Sequence, residues 1–160
     1  MNYEIREMHT EEYPLLSDFL YEAIFQRDIT APLSRSVIED PALQVYIKDF
    51  GSLKDDYCLC AVIGEKPVGA VWVRNIEGYG SIDENTPEFA ISLYKEYRGC
   101  GIGTELMKRM LEALKNRGYE SASLSVQKDN YAAGMYRKLG FVIIGENEEE
   151  YIMEYCFQTA

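Results

Sequence analysis

Histidine occurs once in this 160-residue chain, as His9, and the four cysteines form no Cys-x-x-Cys pair. These shortages argue against a zinc site, which draws its ligands from clustered cysteine and histidine. Cys58 and Cys60 fall two apart on a predicted strand and share a face, while Cys100 and Cys156 stand alone. Free thiols are the expectation. No apolar run reaches the length that a membrane span needs. The opening "MNYEIREMHTEEY" carries acids and no apolar core, unlike a signal peptide. A cytoplasmic protein is expected, with one domain over residues 1–160. A chain of this size can bury roughly 70% of its unfolded surface without staples.

Positive charge is also scarce. Sixteen basic side chains face 27 acidic ones, for a net charge of −11. A nucleic-acid binder needs a basic face, so that class is set aside. The imbalance is uneven: residues 1–60 hold 5 basic and 12 acidic side chains (net −7), residues 95–117 hold 6 and 3 (net +3). An acidic body can steer a cationic substrate, although such charge also serves solubility alone.

What is present reads as alternating elements. "YEIREM" predicts a strand over 3–8. From Glu11 to Gln26, Leu15, Leu16, Phe19, Leu20, Ala23 and Ile24 recur at helical spacing, and "DITAPLS" ends that helix. A second helix is expected in "EDPALQVYIKDFG", capped by Asp40, with Pro41 in its first turn and Gly51 at its end. "YCLCAVI" and "VGAVWVRNIEG" make a hairpin about "GEKP"; the loop "YGSIDENTP" leads to a fourth strand, "EFAISLYKEY" (88–97), with Phe89, Ile91 and Leu93 on one side. A helix with Leu106, Met107, Met110, Leu111 and Leu114 on one face stops at Gly118. The strand "SASLSV", the short helix "NYAAGMYRKLG" and a final hairpin turning at the acidic run complete the chain. This order predicts an α/β (α+β mixed) fold whose central sheet is mixed, mostly antiparallel and covered by helices. The last hairpin offers an edge to which a second copy can pair, as in a homodimer.

Between the fourth strand and the next helix lies "RGCGIG", Arg98 to Gly103. The P-loop needs Lys and Ser or Thr after its last glycine, and here Thr104 and Glu105 follow. The dinucleotide pattern would put its third glycine at position 104, which is Thr. Both fail. Backbone N–H groups from Gly99 to Thr104 can still form an anion-binding concavity at a helix start, with side chains absent where a pyrophosphate would approach.

The segment "ISLYKEYRGCGIGTELMKRML" resembles the acyl-CoA loop signature of the GNAT acetyltransferase superfamily, Q/R-x-x-G-x-G/A, which Arg98, Gly101 and Gly103 meet. "LSVQKDNYAAGMYRKLGF" is similar to its second signature, N-x-x-A-x-x-Y-x-x-x-G-F, through Asn130, Ala133, Tyr136, Gly140 and Phe141. The resemblance implies a GNAT-like fold with a splayed sheet of about seven strands and about four helices, acetyl-CoA as co-substrate, and no metal. It implies that Ile91, Ser92 and Leu93 offer backbone to the pantetheine arm like an added strand. Arg98, Gly99, Cys100, Gly101, Ile102, Gly103 and Thr104 would cradle the pyrophosphate, and Asn130, Ala133 and Tyr136 would lie along the arm and thioester.

The implied reaction is direct acetyl transfer to a primary amine. A Leu93 main-chain N–H would hold the developing oxyanion, worth on the order of 3 kcal/mol. Tyr136 would protonate the departing thiolate; packing in a helix–sheet seam is its other reading. Asn130 can also cap the short helix, for about 1 kcal/mol. The base is open: Glu88 is favoured, Asp83 and Glu84 lie nearby, ordered water can serve, and Glu88 could equally be a solvated strand-end acid. Cys100 belongs to the pyrophosphate loop, too far along the cofactor to act as nucleophile. Trp72, Tyr79, Tyr13 and Tyr21 are candidates for acceptor walls. The favoured acceptor is a small, cationic amine. A protein N-terminus or lysine, and a non-catalytic acyl-CoA-binding module, are the alternatives.

Overall fold

The computed structural model describes residues 2–26 and 30–157. Seven strands, β1 (Glu4–Glu7), β2 (Tyr57–Ile63), β3 (Lys66–Arg74), β4 (Glu88–Leu93), β5 (Ser121–Gln127), β6 (Val142–Glu146) and β7 (Glu150–Cys156), form one sheet in the order β1-β2-β3-β4-β5-β7-β6. Every pairing is antiparallel except β4 with β5. The α-helices are α1 (Leu16–Ala23), α2 (Pro41–Gln44), α3 (Ile102–Asn116) and α4 (Ala132–Leu139). The expected mixed sheet of seven strands with four helices is therefore what forms.

Alternation along the strands sends side chains to two cores. On one face Val71, Val73 and Phe89 meet Leu106, Met107, Met110 and Leu114 of α3 and Tyr136 of α4. On the other, Ala70, Trp72, Cys58 and Cys60 meet Leu16, Phe19 and Leu20 of α1. Each fully buried Leu or Phe contributes roughly 1.5–3 kcal/mol of transfer free energy. Cys58 and Cys60 are buried free thiols on one face, and Cys100 and Cys156 are exposed.

Three elements are shorter than the sequence suggests. The first helix begins as a 3-10 stretch, Thr10–Leu15, containing Pro14, because proline offers no N–H and disfavours α geometry in the residue before it. It ends at Ala23 with Ile24 already extended, and Asp28 and Ile29 of the expected break lie outside the described residues. The second helix keeps its start, Asp40 accepting from the Ala42 N–H at 2.9 Å and Pro41 at the first position, but stops after one turn. The carbonyls it would need next are taken by side chains of β3. The Trp72 indole donates to Tyr46 O at 3.0 Å, and the Arg74 guanidinium to Val45 O at 3.0 Å and Asp49 O at 3.3 Å. Arg74 also makes a paired contact to Asp56, with both bonds at 3.0 Å and both side chains buried. The fourth strand ends at Leu93, where Tyr94 N–H makes a last bond to Val68 O before Lys95–Tyr97 turn as a 3-10 helix.

The sheet is not uniform. β4 and β5 share a single bridge, Glu88 with Ser123, beside the Ser123 N–H to Pro87 O bond of 3.0 Å. Beyond it the two strands part. β6 is an outer strand with Val142 and Ile144 exposed, so the edge that a second chain would need is available. No helix among the described residues is long and apolar enough to cross a membrane.

Candidate active site

A groove of about 1120 Å³ follows the parting of β4 from β5 and runs between α1 and α4. Its first wall is the glycine turn. Gly99 and Gly101 have φ of +77° and +86°, where other residues are strained, and a methyl group at either would meet nothing within 4 Å. Among the described residues no N–H from Gly99 to Thr104 has a backbone partner; the helical ladder resumes with Glu105 N–H to Gly101 O at 3.2 Å. These orphan donors at the start of α3 can hold an anion. Cys100 is exposed, with its thiol on Arg98 O.

Arg98 is placed differently from the rest of the loop. Its Nε donates to Leu93 O at 3.0 Å, and its terminal nitrogen reaches Glu22 O at 3.3 Å and the Glu22 carboxylate at 3.7 Å. The guanidinium thus ties the end of β4 to α1 while still lining the groove.

The β3–β4 ladder decides which main-chain groups face the gap. Because Tyr94 N–H bonds Val68 O and opposed pairs alternate, Ser92 and Ala90 point their main-chain groups at β3. Ile91 and Leu93 turn theirs the other way, toward the space that β5 leaves. The Leu93 C=O is taken by Arg98, which leaves its N–H. Ser92 serves packing instead, its hydroxyl donating to Phe19 O at 2.6 Å. The Leu93 side chain is seated by missing atoms: a methyl group at Gly69 would lie 2.1 Å from Leu93 Cδ2, and one at Gly103 would lie 3.6 Å from Cδ1.

Glu88 is no solvated strand-end acid; it is 2% exposed. Its Oε2 accepts from the Tyr46 hydroxyl and, at 3.1 Å, from Gly80 N–H, while Oε1 is buried without a partner. Burial pushes its pKa up to about 7 against those two bonds, which favour the charged form, and Glu150 adds a smaller upward push. Tyr46 also accepts from Tyr79 N–H at 2.9 Å, and burial beside Glu88 raises its phenol strongly. The loop fits only because of two glycines. A methyl at Gly78 would come within 2.6 Å of the Tyr46 hydroxyl and 2.7 Å of Glu88 Oε1; one at Gly80 would come within 2.6 Å of the Leu124 main chain. Asp83 instead caps its own loop, accepting from Asn85 N–H and the Thr86 hydroxyl at 2.8 and 2.9 Å.

Tyr136 lies on the opposite face of the sheet, buried yet lining the groove. Gly140, at φ +114°, ends α4 so that Phe141 N–H bonds Tyr136 O at 3.0 Å. The Phe141 ring then sits 5.9 Å from that of Tyr136 and 5.8 Å from that of Phe89. Burial raises the phenol well above its usual range and keeps it protonated. Asn130 accepts from Ala132 N–H at 2.9 Å from the position before the N-cap, Tyr131, which makes no side-chain cap bond, and Ala133 is buried.

The aromatic candidates divide. Tyr21 and Tyr79 line the groove, whereas Trp72 is fully buried core and Tyr13 packs edge-on against Phe50. Sequence reasoning did not single out Tyr46, Gly78, Gly80, Gly69 or Glu150. Only the alternating "GYG" of residues 78–80 carried a local signal.

A mixed sheet that opens beside its fourth strand, with free amides at one end of the opening and a buried carboxylate at the other, defines a GNAT-type acyltransfer fold. The chain belongs to the acetyltransferase (GNAT) family, whose sequence pattern matches residues 3–141, and it is accordingly an N-acetyltransferase. It is 32% identical over 119 residues to N-alpha-acetyltransferase 30 of Schizosaccharomyces pombe, covering 74% of this chain and 73% of that one. It is 31% identical over 98 residues to the [ribosomal protein bS18]-alanine N-acetyltransferase of Haemophilus influenzae, covering 58% and 62%. In fold it is similar to the PaiA N-acetyltransferase of Thermoplasma acidophilum solved with coenzyme A, with a TM-score of 0.69 and 22% identity over 98% of this chain and 100% of that one.

Proposed function

We propose that the chain transfers acetyl from acetyl-CoA to a primary amine, with a small cationic acceptor, by direct attack within the groove. The thioester supplies the activated acetyl group. The residues fit this co-substrate: the amides of 99–104 lack partners, and Ile91 and Leu93 turn main-chain groups into the gap. Gly99 to Thr104 would hold the diphosphate, Ile91 and Leu93 the arm, and Asn130 and Ala133 its flank. Arg98 holds this end of β4 in place and adds positive charge.

Glu88 takes one proton from the acceptor ammonium to give the neutral amine, and the second proton that attack leaves on nitrogen passes to solvent, offsetting the one that Tyr136 supplies to the thiolate. The amine nitrogen then bonds to the acetyl carbon, and Leu93 N–H stabilises the oxyanion. As the carbon–sulfur bond breaks, Tyr136 gives its proton to the thiolate. Burial lifts the Tyr136 phenol above its ordinary range, so its donation to a thiolate of pKa about 8.5 runs further uphill and must be driven by cleavage of the carbon–sulfur bond. The two side chains occupy opposite faces of the sheet, and the gap is the route by which both reach one thioester.

The observation that carries this reading is the buried carboxylate of Glu88, a residue that lines the groove and keeps one oxygen without a partner among the described residues. A base should be half ionised near working pH. Glu149 and Glu150 line the same groove and favour a positive acceptor. A second reading, a peptide N-terminus as acceptor, is favoured by the 32% identity to an N-alpha-acetyltransferase. Thiol release from acetyl-CoA with diamines, aminoglycoside-like amines and N-terminal peptides separates them. Turnover only with peptides would overturn the small-acceptor reading, and release with no amine at all would overturn the transfer itself.

A further inference from the structure

Tyr46 lies 42 residues before Glu88 and carries none of the roles given above, yet its hydroxyl is the most direct contact that the Glu88 carboxylate makes. We infer that Tyr46 is the positioning residue for the base: its hydroxyl occupies Glu88 Oε2 and leaves Oε1, packed beneath Gly78, as the oxygen without a donor among the described residues. The inference rests on Glu88 acting as the base.

Three observations converge on this assignment. The Tyr46 main chain is pinned by the Trp72 indole at its own carbonyl, and Arg74 holds the preceding carbonyl at Val45. Arg74 is itself fixed by the buried Asp56. The ring therefore projects from a short segment held by β3 rather than from a free loop. The Tyr46 hydroxyl is also saturated: it accepts from Tyr79 N–H and donates to Glu88. With its proton committed, its one hydrogen bond donated is to Oε2. Finally, Gly80 N–H goes to Oε2 as well, while Oε1 receives nothing. Among the described residues both donors go to one oxygen, which is the arrangement expected when the other must stay free to accept a proton.

The titratable groups around Glu88 are few. Glu150 faces it from β7, Tyr46 from the segment after α2, and Arg74 is its cross-strand partner on β3 but turns to Asp56. Tyr79, on the glycine loop, contributes only its N–H to the Tyr46 hydroxyl. A hydrogen bond donated to a carboxylate stabilises its charged form. Removing the Tyr46 hydroxyl should therefore make Glu88 harder to ionise.

The test is the pH dependence of kcat at saturating acetyl-CoA for the parent chain, Glu88→Gln and Tyr46→Phe, with coenzyme A affinity measured as a check on folding. The parent should show an ascending limb near pH 7 that Glu88→Gln abolishes. Tyr46→Phe should retain a limb displaced upward by about one pH unit, with coenzyme A affinity within about twofold of the parent. 3-Fluorotyrosine at position 46 keeps the hydroxyl and makes it a stronger donor, so it should displace the limb downward; it serves where Tyr46→Phe does not fold. A limb that Glu88→Gln abolishes but that neither change at position 46 moves, or that both move in the wrong direction, overturns the role of Tyr46 and leaves Glu88 as base. A limb that survives Glu88→Gln overturns the base assignment and this inference with it.

Discussion

The two ends of the groove are built in opposite ways. The end at Gly99–Thr104 presents donors without acceptors, produced by six consecutive residues and by the side chains that its glycines lack. The end at Glu88 presents an acceptor without a donor, produced by Tyr46, Gly78, Gly80 and Glu88, which come together from distant parts of the chain. The first meets solvent at Gly99, Cys100 and Gly101, with Ile102 buried behind them. The second owes its near-neutral carboxylate to burial. An anion-binding turn can thus be encoded locally, whereas the proposed base depends on tertiary packing.

The sharpest way to break the comparison is at the loop. Gly101→Val should abolish coenzyme A binding in calorimetry, because the added branches fill the cradle and strain a residue at φ +86°. Gly118→Val supplies the control. Gly118 has the same φ of +86° and equally open surroundings, at the end of α3. It should lose similar stability yet keep its affinity. Equal loss in both would mean that strain alone, and no cradle, explains the effect.

At the other end, Glu88→Gln should lower kcat about 100-fold or more while leaving coenzyme A affinity unchanged. It should also alter stability with a definite sign. The folded pKa of about 7 lies above the 4.5 of an unperturbed glutamate. The contribution of Glu88 is therefore fully favourable below about 4.5 and is lost as pH rises through 7. Relative to the parent, the Gln variant should gain on the order of 3 kcal/mol at pH 8 and little at pH 4. Denaturant melts at the two pH values check this, and equal differences at both would contradict the buried ionisation.

Two smaller effects lie between the ends. Tyr136→Phe should reduce kcat about 10- to 100-fold with little change in coenzyme A affinity, and an unchanged rate would remove its assignment as the acid. Arg98→Ala should raise the KM for acetyl-CoA by only about tenfold or less, since the guanidinium is spent on Leu93 O and Glu22. A complete loss of binding there would mean that Arg98 acts on the diphosphate directly.

How much of this was legible in the sequence follows the same division. The glycine turn and Tyr136 with Gly140–Phe141 were readable because each is a short motif whose spacing fixes its own geometry, down to the left-handed Gly140 that lets Phe141 bond Tyr136 O. The succession of elements was readable, as was the side of β4 shared by Phe89, Ile91 and Leu93, whereas β2 and β3, buried on both faces, carry no alternation that would assign their side chains. The length of α2 did not, because Trp72 and Arg74 claim carbonyls that a longer helix would use. Glu88 was a candidate, but its burial was invisible: nothing near position 88 says that Tyr46 will donate to it or that a loop with Gly78 and Gly80 will close over it.

The most direct test is a crystal structure of the chain with acetyl-CoA. The account predicts that the diphosphate oxygens accept from main-chain N–H groups between Gly99 and Thr104, and that the thioester sits between β4 and β5 within reach of Leu93 N–H, with Glu88 Oε1 on one side and the Tyr136 hydroxyl on the other. A cofactor bound away from that gap, or a thioester separated from Glu88 by the packed loop of Gly78–Gly80, would contradict it.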